Sequence, residues 1–145
     1  MTYSSQGRQV TKTMNFASLR WSGTPSSNTY LTFAVDNEFP SSFISLTQSN
    51  TEISLPTGHY FVQAYTDYTR TNVNQTFQFG WYVDGTLTGH YGASDYYHSN
   101  SCDVAEASFT LDAAGALRLR ITGQYNSDST LNDPHCTCYI WRVEK

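Results

Sequence analysis

Leu55-Pro56-Thr57-Gly58-His59-Tyr60-Phe61-Val62-Gln63-Ala64-Tyr65 is the stretch whose reading decides the fold. Pro56 fixes its own φ and offers no N–H. Gly58 adopts backbone conformations that other residues resist, so the chain is expected to reverse direction here. Aromatic and aliphatic residues then alternate: Tyr60, Val62 and Ala64 fall on one face of a strand, Phe61, Gln63 and Tyr65 on the other. A strand with large side chains on both faces belongs in the middle of a sheet in a β-sandwich.

The rest of the chain agrees with that reading. Its 145 residues suit one domain, long enough to bury a core without staples. Aromatic residues make up 15% and charged residues 14%, and Ser and Thr together about a quarter. Such a composition favours pleated, half-buried surfaces over helices and excludes a disordered chain. Candidate strands lie near 8–14, 29–35, 43–46, 51–55, 59–68, 76–83, 86–91, 102–111, 116–123 and 136–143. Short strands at this spacing, divided by turn residues, indicate an all-β sandwich or barrel. Val83-Asp84-Gly85-Thr86 carries the favoured two-residue hairpin turn, and Leu111 to Leu117 reads as a second tight reversal. After it, Leu117, Leu119 and Ile121 face a core while Arg118 and Arg120 face solvent or a partner. Loops are expected at 22–28, 36–42, 69–75, 89–101 and 124–135.

Net charge is −4, and the eight basic residues are scattered. A phosphate-binding footprint is missing, so nucleic acid is not expected as a partner. No apolar run approaches the roughly 20 residues that cross a bilayer, so neither is a membrane. The first six residues, Met1 to Gln6, are polar and show no secretion signal. The expectation is a chain that acts where it is made, or that leaves by lysis or within an assembly.

Constellations that would carry chemistry are thin. His135-Cys136-Thr137-Cys138 brings three metal-ligand types together, but the second pair of ligands that zinc requires is absent; Cys136 and Cys138 read better as small core residues on one strand face. A disulfide involving Cys102 would need its strand to meet theirs. No Gly-x-Ser-x-Gly elbow marks a nucleophile, no Asp-x-Asp-x-Asp-Gly loop marks calcium, and the acidic residues are spread singly. Asn74-Gln75-Thr76 matches a glycosylation acceptor but lacks a secretory context. No enzyme activity, cofactor or metal is expected. The 89–101 segment is different. His90, Tyr91, Asp95, Tyr96, Tyr97 and His98 are residue types that contact surfaces favour, because Tyr offers large area at low entropic cost. It reads equally as a binding loop for a protein or a sugar, and as a loop packed over the end of the sandwich.

The Leu55–Val62 turn and strand, Phe77 to Gly85, Leu111 to Ile121 and the closing strand Cys138 to Val143 together resemble the jelly roll of the tumour-necrosis-factor and complement-globular-head type. The resemblance covers about residues 29–145 and implies a single-domain antiparallel jelly roll that forms homotrimers. Bacteriophages use this jelly roll in head decoration proteins and tail-fibre tips, and the low-charge, Ser/Thr/Tyr-rich composition is similar to virion surface proteins. The resemblance therefore implies a capsid decoration (cement) protein, made in the host cytoplasm, that binds the major capsid protein on the outer shell as a trimer and stabilises it. The alternative is a receptor- or glycan-binding module at a fibre tip. Residues 1–20 are expected to form an N-terminal arm or first strand, and 21–145 the jelly-roll domain. Tyr3, Arg8 and Val10 on the arm, with the six residues of the 89–101 loop, are the expected contact residues.

Overall fold

A computed structural model describes residues 14–22, 29–36, 41–70, 76–93, 100–125, 129–131 and 136–144. These residues form two antiparallel sheets packed face to face. The first sheet runs β2 (Thr32–Val35), β1 (Met14–Ser22), β11 (Thr137–Val143), β5 (Gly58–Arg70) and β8 (Asn100–Leu111), with β10 (Ser129–Leu131) paired to the far end of β5. The second runs β3 (Ser45–Thr47), β4 (Glu52–Leu55), β9 (Gly115–Tyr125), β6 (Thr76–Val83) and β7 (Thr86–Ala93). The ladder pair His90 with Glu106 joins β7 to β8 and closes one side of the sandwich. On the other side the chain steps between sheets. Leu31 N–H donates to Leu119 O and Ile121 N–H to Thr29 O in the second sheet, and Thr32–Val35 then pairs with β1 in the first. The fold is an all-β, single-domain jelly roll.

Strand alternation builds the core. Tyr60, Val62 and Ala64 of β5 point inward, as the opening stretch predicts, and meet Leu19 and Trp21 of β1, Phe79 and Trp81 of β6 and Leu117, Leu119 and Ile121 of β9. Phe33 stacks on Trp81 with ring centroids 6.3 Å apart and planes 1° from parallel. Both fully buried indoles satisfy their N–H groups, which would otherwise cost about 1–3 kcal/mol each. Trp21 Nε1 donates to Tyr65 O (3.1 Å) and Thr137 O (3.2 Å), and Trp81 Nε1 to Ala105 O (3.1 Å).

Several expectations are corrected. The strand expected at 8–14 is β1, Met14–Ser22; only Met14 is shared, and residues 1–13 lie outside the described residues. The missed signal is local: Ala17, Leu19 and Trp21 alternate inward, between the more polar Ser18 and Arg20. From Met14 onward the chain forms the first described strand, which runs two residues past the 1–20 span expected as an N-terminal arm or first strand. The Pro56–Thr57 turn does not fold β5 back on β4. It carries the chain from the second sheet to the first, held by Tyr60 Oη donating to Pro56 O (2.6 Å). The reversal at Leu111–Gly115 likewise crosses between sheets, because β8 and β9 do not pair. Asp84-Gly85 is the expected hairpin turn, with both residues at positive φ (47° and 82°). β10 falls inside the loop expected at 124–135, a three-residue strand too short to show a period.

Candidate functional site: an exposed aromatic face

The outward face of the first sheet can be read from its register. One row across the strands is Phe16, Trp141, Phe61 and Ser108. On one side lies Met14, Val143, His59 and Thr110; on the other, Ser18, Tyr139, Gln63 and Glu106. The rings form a continuous sheet of contacts. Phe16 lies 5.5 Å from Trp141 and 5.8 Å from Tyr139, and Phe61 lies 5.4 Å from Trp141. Tyr65 meets Tyr139 edge-on at 5.8 Å. Three apolar side chains remain open to water: Met14 at 69%, Phe16 at 38% and Phe61 at 39%. A depression of about 450 Å³ lies between Met14, His59, Phe61, Ser108, Trp141 and Val143. The rim is polar. His59 Nδ1 and Thr110 Oγ1 are 2.9 Å apart, Tyr65 Oη donates to Gln63 Oε1 (3.1 Å) and Gln63 Nε2 to Glu106 Oε2 (3.4 Å).

Among the described residues, Met14, Phe16 and Phe61 of this face keep more than a third of their surface exposed, and the face offers burial rather than bond-making. An apolar centre within a polar rim is how protein interfaces are built. The outward face of the second sheet is internally satisfied instead. Arg118 Nε donates to Glu52 Oε2 (2.9 Å), and that bond, with the Thr47 hydroxyl, holds the Glu52 carboxyl below its ordinary range. Arg118 and Arg120 both lie over the Tyr30 ring, at 4.7 and 5.4 Å from its centroid.

The expected contact residues map unevenly. Gly89–Ala93 of the expected loop belongs to β7, and Asn100 and Ser101 to β8. His90 is therefore an exposed strand residue opposite Glu106, at the border of the aromatic face, and Tyr91 also lies within β7. Tyr3, Arg8, Val10, Asp95, Tyr96, Tyr97 and His98 lie outside the described residues. Sequence reasoning did not single out Met14, Phe16, Phe61, Tyr139 or Trp141. The signal was present: β5 carries aromatics on both faces, and β11 alternates inward Cys138 and Ile140 with outward Tyr139 and Trp141.

His135 lies outside the described residues, while Cys136 and Cys138 are fully buried and turned into the core. Burial pushes the Cys138 thiol far above its ordinary range. Among the described residues, no three His, Cys, Asp or Glu side chains gather as metal ligands.

No family model matches the sequence, and no curated protein matches it. Solved structures do. A crystal structure of murine APRIL at pH 8.0 superposes with a TM-score of 0.65 at 10% identity, covering 90% of this chain and 99% of that one. Eiger TNF from S. frugiperda superposes with a TM-score of 0.60 at 14% identity, covering 90% of this chain and 94% of that one. At such identities the likeness speaks for the fold alone: the chain has a jelly roll of the tumour-necrosis-factor type.

Proposed function

We propose that this chain is a non-catalytic structural module that assembles as a homotrimer through the aromatic outer face of its first sheet. In that form it decorates the outside of a bacteriophage capsid, bound to the major capsid protein and stabilising the shell. One observation carries the assembly: Phe16, Phe61, Tyr139 and Trp141 form a stacked aromatic surface that stays partly open to water among the described residues. Aromatic side chains on such a face are the usual hot spots of association, each worth about 2 kcal/mol or more on truncation. Three-fold symmetry is what the jelly-roll resemblance implies. The capsid location rests on the low-charge, Ser- and Thr-rich composition, and three-fold avidity would make a small contact per protomer effective on a shell.

Phe61→Arg tests the reading. Position 61 is partly exposed in one chain, so the variant folds, losing about 0.5–1.5 kcal/mol with the Trp141 contact. The trimer is lost, because three guanidinium groups cannot be desolvated together at its interface. Undecorated shells mixed with wild-type protein gain co-sedimenting chain and rupture at higher temperature; the variant gives neither. Wild-type protein that stays in the supernatant removes the capsid reading. A Phe61→Arg variant that remains trimeric removes the proposed interface.

A further inference from the structure

A second concavity, of about 490 Å³, opens at the end of the sandwich where the β4–β5 crossing meets the close of β11. Its lining includes the hydroxyl-bearing residues Ser42, Ser45 and Ser54, an apolar side at Phe43 and Pro56, and Arg142. No lining residue is shared with the depression on the aromatic face.

Arg142 is held in place. Its Nε and Nη2 both donate to Thr57 O (3.1 and 2.8 Å), its Nη1 donates to Glu144 Oε1 (3.2 Å), and its guanidinium lies 6.0 Å from the centroid of the Phe43 ring. The side chain is only 13% exposed. A guanidinium carries five N–H donors. Three are used, and the remaining two, on Nη1 and Nη2, are shared with the Tyr60 hydroxyl oxygen, which lies within hydrogen-bonding reach of the guanidinium. The neighbouring Tyr60 hydroxyl gives its proton to Pro56 O. The hydroxyls of Ser42, Ser45 and Ser54 make no hydrogen bond among the described residues. The hollow thus presents a preorganised cation with outer N–H donors, three free hydroxyls and an aromatic wall. Fixed guanidinium donors match a carboxylate, hydroxyls match hydroxyls, and an aromatic ring matches the C–H face of a sugar.

We infer that this hollow is a binding site for a carboxylated monosaccharide, such as the terminal uronic or sialic acid residue of a glycan. The carboxylate meets the outer N–H donors of Arg142, in place of the Tyr60 hydroxyl oxygen, and the ring hydroxyls meet Ser42, Ser45 and Ser54. Glu144 is a competitor for the same guanidinium. Its side chain is half exposed and also accepts from Asn15 Nδ2 (3.2 Å), so it yields its bond to Arg142 at small cost.

The test titrates wild-type protein with D-glucuronate, N-acetylneuraminate and D-glucose, following amide and arginine side-chain NMR shifts. The expected result is saturable movement at Ser45, Ser54 and Arg142 with at least one of the two acidic sugars, with a Kd of about 1 mM, ordinary for a ligand of that size. Glucose binds about ten-fold more weakly or less. Ser42→Asp, at an exposed position, places a repelling carboxylate at the mouth and weakens binding about ten-fold, with an unchanged circular dichroism spectrum. Glu144→Gln removes the competitor and tightens binding about two- to five-fold. Phe61→Arg binds as wild type does, which separates this site from the assembly face. The inference is overturned if no acidic sugar gives saturable shifts by about 20 mM, if glucose binds as well as they do, or if Ser42→Asp changes nothing.

Discussion

Gly89 is where the closed side of the sandwich is most vulnerable. It sits at φ +77° in β7, one residue before the His90–Glu106 ladder pair that joins β7 to β8. A Cβ at this position would lie 2.2 Å from Glu106 O and 2.6 Å from both Cα and Cβ of Ala107. Gly89→Ala therefore carries two penalties. The left-handed conformation costs a non-glycine residue about 1–2 kcal/mol. The clash is with backbone that cannot rotate away, so β7 must retreat and the His90–Glu106 pairing weakens, adding about 1–3 kcal/mol. Gly85→Ala isolates the first penalty, because Gly85 has φ +82° and nothing within 4 Å of the added carbon. The expected losses are about 3–4 kcal/mol for Gly89→Ala and about 1 kcal/mol for Gly85→Ala. At roughly 2–4 °C per kcal/mol, that is a Tm drop of about 6–16 °C against about 2–4 °C. The assay is urea and thermal denaturation at one fixed chain concentration, since assembly makes Tm concentration-dependent. Equal losses for the two variants would refute the claim that β7 is packed onto β8 at Gly89.

Three further outcomes are expected. Trp81→Phe leaves the Ala105 carbonyl without its donor and opens space beside Phe33, destabilising the fold by about 2–3 kcal/mol in equilibrium unfolding. Glu52→Gln costs under about 1 kcal/mol at pH 7. Because Arg118 lowers the folded-state pKa of Glu52 below the ordinary 4.5, that contribution is complete above 4.5 and fades as pH falls through the lowered value. Wild type and variant should therefore converge in stability as pH falls well below 4.5, read from urea midpoints across pH. Cys136 and Cys138 are inaccessible in the native chain, so a thiol reagent at pH 8 should label two more cysteines in 6 M urea than in buffer.

How far the sequence could be read depended on whether a signal was local. The alternation in Tyr60–Tyr65, the Asp84-Gly85 turn and the inward set Leu117, Leu119 and Ile121 are short-range patterns, and each lies where its pattern placed it. Which strands pair is not local. The Pro56–Thr57 and Leu111–Gly115 turns look like hairpins but cross between sheets, a choice made by what packs on each side. β1 hid its inward Ala17, Leu19 and Trp21 among polar neighbours. The aromatic face was harder still. Phe16, Phe61 and Trp141 lie far apart in the chain and meet only when β1, β11 and β5 align in register. Arg142 shows the same limit: its chemistry depends on Thr57, Glu144 and Phe43 reaching it from separate segments.

The central claim is that the aromatic face is an interface between copies of this chain. Sedimentation equilibrium of the purified wild-type protein at micromolar concentration tests it most directly. The account expects a single species of three times the 16.3 kDa chain mass, returning to one chain mass in Phe61→Arg. A wild-type protein that sediments as one chain across that concentration range would contradict it.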